Sequence, residues 1–116
     1  MPYRPAESLL PLTPLDFEIL LALVSGDLHG YAILQRVEAR VRHVLPLRTG
    51  TLYRALARLL DAGFIDEVGG PGANADRRRY YRVTGRGRQV ARAEAERLAD
   101  QVAAARQQRL LPGLKR

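Results

Sequence analysis

The sequence predicts a mainly α fold with a small β-hairpin (α+β): three helices, the hairpin, then one long helix. This is the winged helix-turn-helix layout with an added C-terminal dimerisation helix. Three observations carry it. Apolar residues recur at helical spacing in three successive segments between residues 13 and 63. Two short β-forming runs flank a glycine-rich loop at 69–76. A helical pattern then continues from 85 up to Pro112.

Pro2, Pro5, Pro11 and Pro14 mark residues 1–12 as an extended N-terminal arm. In "TPLD", Thr13 suits an N-cap, Pro14 the first helical position and Asp16 the positive helix end. The helix "PLDFEILLALVSG" closes at Gly26, and Leu15, Phe17, Leu20, Leu21 and Val24 cover so much of its circumference that it reads as largely buried. "GDLHGY" is a tight link. The next helix runs over "GYAILQRVEARVRHV", with Ile33, Leu34, Val37 and Val41 as its stripe, and Pro46 ends the region. In "TGTLYRALARLLDAG" Thr49 is placed to cap, and Gly63 sits just past the end, where a left-handed residue is usual.

The period then changes. "FIDEV" (64–68) and "RRRYYRVT" (77–84) read as strands around "GGPGANAD". Side chains alternate across a strand, so Arg78, Tyr80 and Arg82 oppose Arg77, Arg79, Tyr81 and Val83; one tyrosine packs on the helices and the other does not. Thr84 caps the last helix. The expected division is an arm (1–12), a winged helix-turn-helix unit (13–84) and a C-terminal dimerisation helix and tail (85–116).

The totals limit the function. At 116 residues the chain holds one domain and one core. Its formal charge is +7, with Lys115 the single lysine among 19 basic residues, so the preferred partner is a polyanion: nucleic acid first, an anionic membrane surface second. The wing loop carries glycines, a proline and alanines instead of large apolar residues, which favours phosphate over lipid. Without cysteine there is no disulfide or thiolate metal site, and His29 and His43 stand alone; His29, before a helix, suits a local hydrogen bond. No run approaches the ~18 apolar residues of a membrane span, and the opening residues lack the order of a secretory signal. A cytoplasmic protein without cofactor or metal is expected. No nucleophile–base pair, paired carboxylates or phosphate-binding glycine loop is visible, so no enzyme is expected.

The segment 49–63 has two unlike faces. Leu52, Leu56, Leu59 and Leu60 lie together, and Thr51, Arg54, Arg58 and Asp61 lie opposite. Small residues and long arginines suit entry into a DNA major groove, ~12 Å wide, where the arginine fork matches the two acceptors of a guanine edge. Gly50 and the amide groups at the helix start suit a phosphate. Arg77, Arg78, Arg79 and Arg82 make the hairpin a wing for phosphates or the minor groove. Tyr31 and Tyr53, at the borders of their stripes, either point hydroxyls at phosphates or pack as core-edge residues. The competing readings are a merely solvated charged face, and a winged-helix interaction module for a protein or RNA partner, which would bind duplexes weakly and without sequence preference. In the last helix Ala91, Ala95, Leu98, Val102 and Ala105 form a thin, heptad-like seam. It either packs back on its own domain or meets a partner helix. The second is favoured, and gives a homodimer with two half-sites ~34 Å apart.

Taken in order, "HGY" (29–31), "GTLYRAL" (50–56), "LLDAGFI" (59–65) and "YYRVTGRG" (80–87) resemble the PadR family of winged-helix transcriptional regulators over roughly residues 12 to 110. The short tail is similar to the small subtype with one dimerisation helix. The resemblance implies a homodimeric repressor of a palindromic operator on double-stranded DNA, released by a small-molecule or stress signal that membership does not identify. The residues themselves lead to the expectation that Thr51, Arg54 and Arg58 face the major groove and that Arg48, Thr49, Tyr31 and Tyr53 lie near phosphates. "VLPLRTG" departs from relatives that carry serine or proline before the "GTLY", so Arg48 either adds a phosphate contact or shifts which bases are read.

Overall fold

The computed structural model describes residues 9–41, 47–69 and 79–112. Most of the expected arm, His43, Pro46, the wing tip with Arg77 and Arg78, and the end of the tail lie outside the described residues. The elements are α1 (Pro14–Val24), β1 (Leu28–His29), α2 (Gly30–Val41), α3 (Thr49–Asp61), β2 (Ile65–Val68), β3 (Tyr80–Val83) and α4 (Gly85–Gln107).

Local chemistry explains most boundaries. Thr13 caps α1, its Oγ1 accepting from the Asp16 amide at 3.1 Å, with Pro14 in the first turn. His29 starts α2: its Nδ1 accepts from the Ala32 amide at 3.1 Å, as an N-cap side chain does. At the end of α3, Gly63 adopts φ 79° while its amide donates to Leu60 O and the Phe64 amide donates to Leu59 O. This is a Schellman closure, and its hydrophobic partners Leu59 and Phe64 are both buried. Thr84 caps α4 through the Gly87 amide (2.9 Å) and donates its own hydroxyl to Gly63 O (2.7 Å). The same loop brings Gly87 so close that a Cβ would overlap the Phe64 carbonyl oxygen. Thus "VTGRG" is a packing corner that locks the start of α4 onto the turn after α3.

The expected hairpin is one strand short of what forms. β1 pairs antiparallel with β3 (Leu28↔Tyr81, His29↔Tyr80), and β2 lies on the other side of β3 (Ile65↔Val83, Val68↔Tyr80), so the order is β1-β3-β2. The "tight link" before α2 is therefore partly strand. Tyr81 and Val83 face the core, whereas Tyr80 meets the His29 ring edge-on at 5.3 Å.

Ile19, Leu20, Leu23, Ile33, Val37, Leu52, Leu56 and Leu59 form the centre of the core, closed by Ile65, Tyr81 and Val90. Each such side chain contributes roughly 1.5–3 kcal/mol on burial. Two expectations need correction. Helix α1 is not buried all round: Leu21 and Val24 remain 38% and 40% exposed, because α2, α3 and the first turns of α4 cover its other sides. Ala91 belongs to the chain's own core, together with Gly87, Val90 and Glu94, since α4 begins by packing on α1. The seam leaves the body only beyond this point. Ala95 and Val102 are exposed, Leu98 and Ala105 half-buried, and the 23-residue helix extends the molecule to 54 Å in its longest dimension.

Candidate nucleic-acid interface

Helix α3 is held by Leu52, Ala55, Leu56 and Leu59, all buried, with Leu60 at the edge. Its outward side therefore has one orientation available. The N-cap is Arg48, extended (φ −111°, ψ 154°) and with no side-chain cap bond; Thr49, expected to cap, is the first helical residue. The reason is visible in the backbone, where the Leu52 amide already closes on Arg48 O at 3.0 Å. The first-turn amides consequently point out of an uncapped helix end that also carries the positive end of the dipole.

Beside that end, Arg48, Thr49, Gly50 and Arg54 are exposed and Thr51 half-buried. Arg54 Nη2 donates to Thr51 Oγ1 at 3.4 Å, and its Nη1 passes over Gly50 at a distance any Cβ there would share. Neither Arg48 nor Arg54 forms an ion pair among the described residues. Tyr53, 45% exposed, lies against Gly30, where a Cβ would overlap its hydroxyl; Tyr31 is 57% exposed on the neighbouring helix. Gly30 of "HGY" thus lets the start of α2 approach Tyr53.

Arg58 is different. Its Nη2 lies 2.6 Å from Asp16 Oδ1 and its Nε 3.4 Å from Oδ2, and the carboxylate raises the guanidinium pKa further. A helical wheel gives the direction of the Cβ, but the long arm of Arg58 turns aside to α1. The guanidinium expected to be free is engaged. Arg82 is engaged as well, in a two-point pair with Asp27 (2.8 and 3.2 Å) that ties β3 to the loop before β1. Arg79 meets Glu67 across the β2–β3 pair at 3.2 Å, both exposed. Further back, Arg40 pairs with Glu18, and Arg97 pairs with the buried Glu94. The arginine count thus overstates the free positive charge, which on this side concentrates at Arg48 and Arg54.

From the sequence Asp16 is expected only as an acid at the positive end of α1, not as the partner of Arg58, and Glu94 is not singled out. For Asp16 a signal existed: it stands four and seven residues before Leu20 and Leu23, on the buried stripe of α1, where an acid needs a cationic partner. Glu94 likewise stands four residues after Val90. Its carboxylate takes two 2.8 Å bonds from Arg97, which holds it below the usual carboxylate range. Around this pair Leu12, Phe17, Leu21 and Leu98 line a groove of about 590 Å³ between α1 and α4. Among the described residues no group of three or more His, Asp or Glu side chains is placed to hold a metal ion, and no helix is long and apolar enough to cross a membrane.

The model of the transcriptional regulator PadR-like family matches residues 19–93, which include α3, the sheet and the first turns of α4. The chain belongs to the PadR-like family of transcriptional regulators. A transcriptional regulator of Clostridium thermocellum is 29% identical, with a TM-score of 0.66 over 80% of this chain and 87% of that one. A PadR family transcription regulator of Clostridium difficile shares the fold at a TM-score of 0.69 and 24% identity, covering 80% and 95% of the two chains. The Bacillus subtilis PadR solved with operator DNA is 26% identical, with a TM-score of 0.58 over 67% of this chain and 44% of that one. As a PadR-like protein the chain is a DNA-binding transcriptional regulator and not an enzyme.

Proposed function

We propose that the chain acts as a homodimeric repressor on an inverted-repeat operator, with α3 in the major groove. Thr51 and Arg54 address base edges. Arg48, Thr49, Gly50, Tyr31 and Tyr53 address phosphates, and the same role is assigned to Arg77, Arg78 and Arg79 from their sequence. Arg58 and Arg82, each held in a two-point pair with an acid, are assigned no contact with the duplex. One observation carries the reading: Arg54 stands exposed beside an uncapped helix end, on a helix whose opposite face is fixed by buried leucines. The outer half of α4, with Leu98, Val102 and Ala105, and the uncovered Leu21 and Val24 of α1 are the surfaces proposed for the second protomer. The groove between α1 and α4 is of a size that takes a small molecule, and supports release by such a signal. A cytoplasmic location follows from the role.

The test is a mobility shift with duplexes tiling the DNA upstream of its own gene, with competitor DNA present. One duplex containing an inverted repeat should be retained when scrambled DNA is not. Equal retention of every duplex would refute the reading.

A further inference from the structure

We infer that Arg58 is a positioning residue, acting through Asp16 to set the rotation of α3, and that it does not itself read the duplex. The inference rests on the reading of α3 as the helix that enters DNA. It comes from three features of the pair.

The contact has two points, Nη2–Oδ1 at 2.6 Å and Nε–Oδ2 at 3.4 Å, so it restrains both separation and angle. The acid end is fixed. Asp16 is 7% exposed, lies in the first turn of α1, and has its amide held by Thr13 Oγ1. Left without the guanidinium, its carboxylate would be buried uncompensated. The third feature is leverage. Arg58 follows Arg54 by one turn on the same side of α3, and the leucines that seat the helix act without direction. The packed leucines fix which face of α3 is buried, but even a small slip about the axis within that packing carries Thr51 and Arg54 away from their targets. The ion pair is the directional restraint against that slip. Two residues along α1, Glu18 holds α2 through Arg40 in the same way (2.7 Å), so one helix grips both members of the helix-turn-helix.

The experiment compares operator affinity, base preference and salt dependence for the full chain, Asp16→Asn, Arg58→Met, the double variant and Arg58→Lys, with circular dichroism as a check of folding. Asp16→Asn and Arg58→Met should each weaken operator binding about tenfold, and the double variant no further than either alone. Both should flatten the preference at the base pair that Arg54→Ala also flattens. The slope of affinity against salt should not change, because no phosphate contact is removed. Were Arg58 a direct reader, Asp16→Asn would bind as well as the parent or better, and only the Arg58 variants would lose affinity; that pattern overturns the inference. If Asp16→Asn does not fold, Arg58→Lys decides. It keeps the charge but not the fork: flattened preference at the base pair that Arg54→Ala also flattens, at unchanged slope, supports positioning, whereas flattening at a different base pair, or parental preference, overturns it. A parent protein with no preferred duplex, or an Arg54→Ala variant indistinguishable from it, would instead refute the underlying reading of α3.

Discussion

Replacing Glu94 with glutamine removes one charge from the best-buried ion pair among the described residues and leaves its volume almost unchanged. The magnitude follows from the two exposures. Breaking a fully buried pair by removing one partner costs about 3–5 kcal/mol, and an exposed pair contributes about 0–1 kcal/mol. Glu94 has 3% of its side chain exposed and Arg97 33%, so the loss should fall between these, about 2 kcal/mol. For a chain of this size that is roughly 8 °C in melting temperature. The pH dependence gives the effect its signature. Arg97 holds the folded-state carboxyl below its ordinary value of 4.5, whereas burial opposes this more weakly. The stabilisation is therefore complete above the unfolded-state value and disappears as pH falls through the lower folded-state one. Thermal melts by circular dichroism at about pH 7 and about pH 3 should show the gap between parent and Glu94→Gln narrowing in acid. A gap of equal size at both pH values, or none at neutral pH, would refute the reasoning.

Gly87→Ala should cost about 2–3 kcal/mol, because the new methyl meets the Phe64 carbonyl, which is main chain and cannot turn aside; Gly69→Ala, in open space, should melt like the parent. Val102→Glu places a charge on the exposed outer half of α4 and should convert a dimer to monomers in light scattering without lowering the melting temperature; a parent already monomeric at micromolar concentration would contradict the dimer. Arg82→Ala should melt close to the parent, because the pair with Asp27 is exposed, and leave the salt slope of operator binding as it was. A slope smaller by about 0.9 would show that Arg82 contacts a phosphate.

How much was legible in the sequence depended on the range of the forces involved. The leucine stripe of α3, the caps at Thr13 and Thr84, the left-handed Gly63 and the opposite facing of Tyr80 and Tyr81 are local or periodic, and the structure has them all; which tyrosine turns inward was not legible. Strand β1 was not legible: two residues have no period, and Leu28 and His29 become strand only because β3 offers an edge. Ion pairs are tertiary facts too. Nothing near Arg58 announces Asp16, 42 residues earlier, and nothing near Arg82 announces Asp27, so arginines counted as free turned out to be engaged. In the sequence the seam of α4 is one continuous surface, but its start is core and only its outer half is uncovered, a division set by where α1 ends. In "YYRVTGRG" nothing local sets the last glycine apart, yet Gly87 proves to be a steric requirement of the corner with Phe64.

The most direct measurement is the affinity of the parent and of Arg54→Ala, at one fixed salt concentration, for a set of duplexes in which each operator base pair is changed in turn. Loss of this guanidinium should weaken binding to the intact operator by about 1–3 kcal/mol and abolish discrimination at one symmetric pair of positions, leaving the others intact. Unchanged affinity, or a loss spread evenly over all duplexes, would contradict α3 as the element that reads sequence.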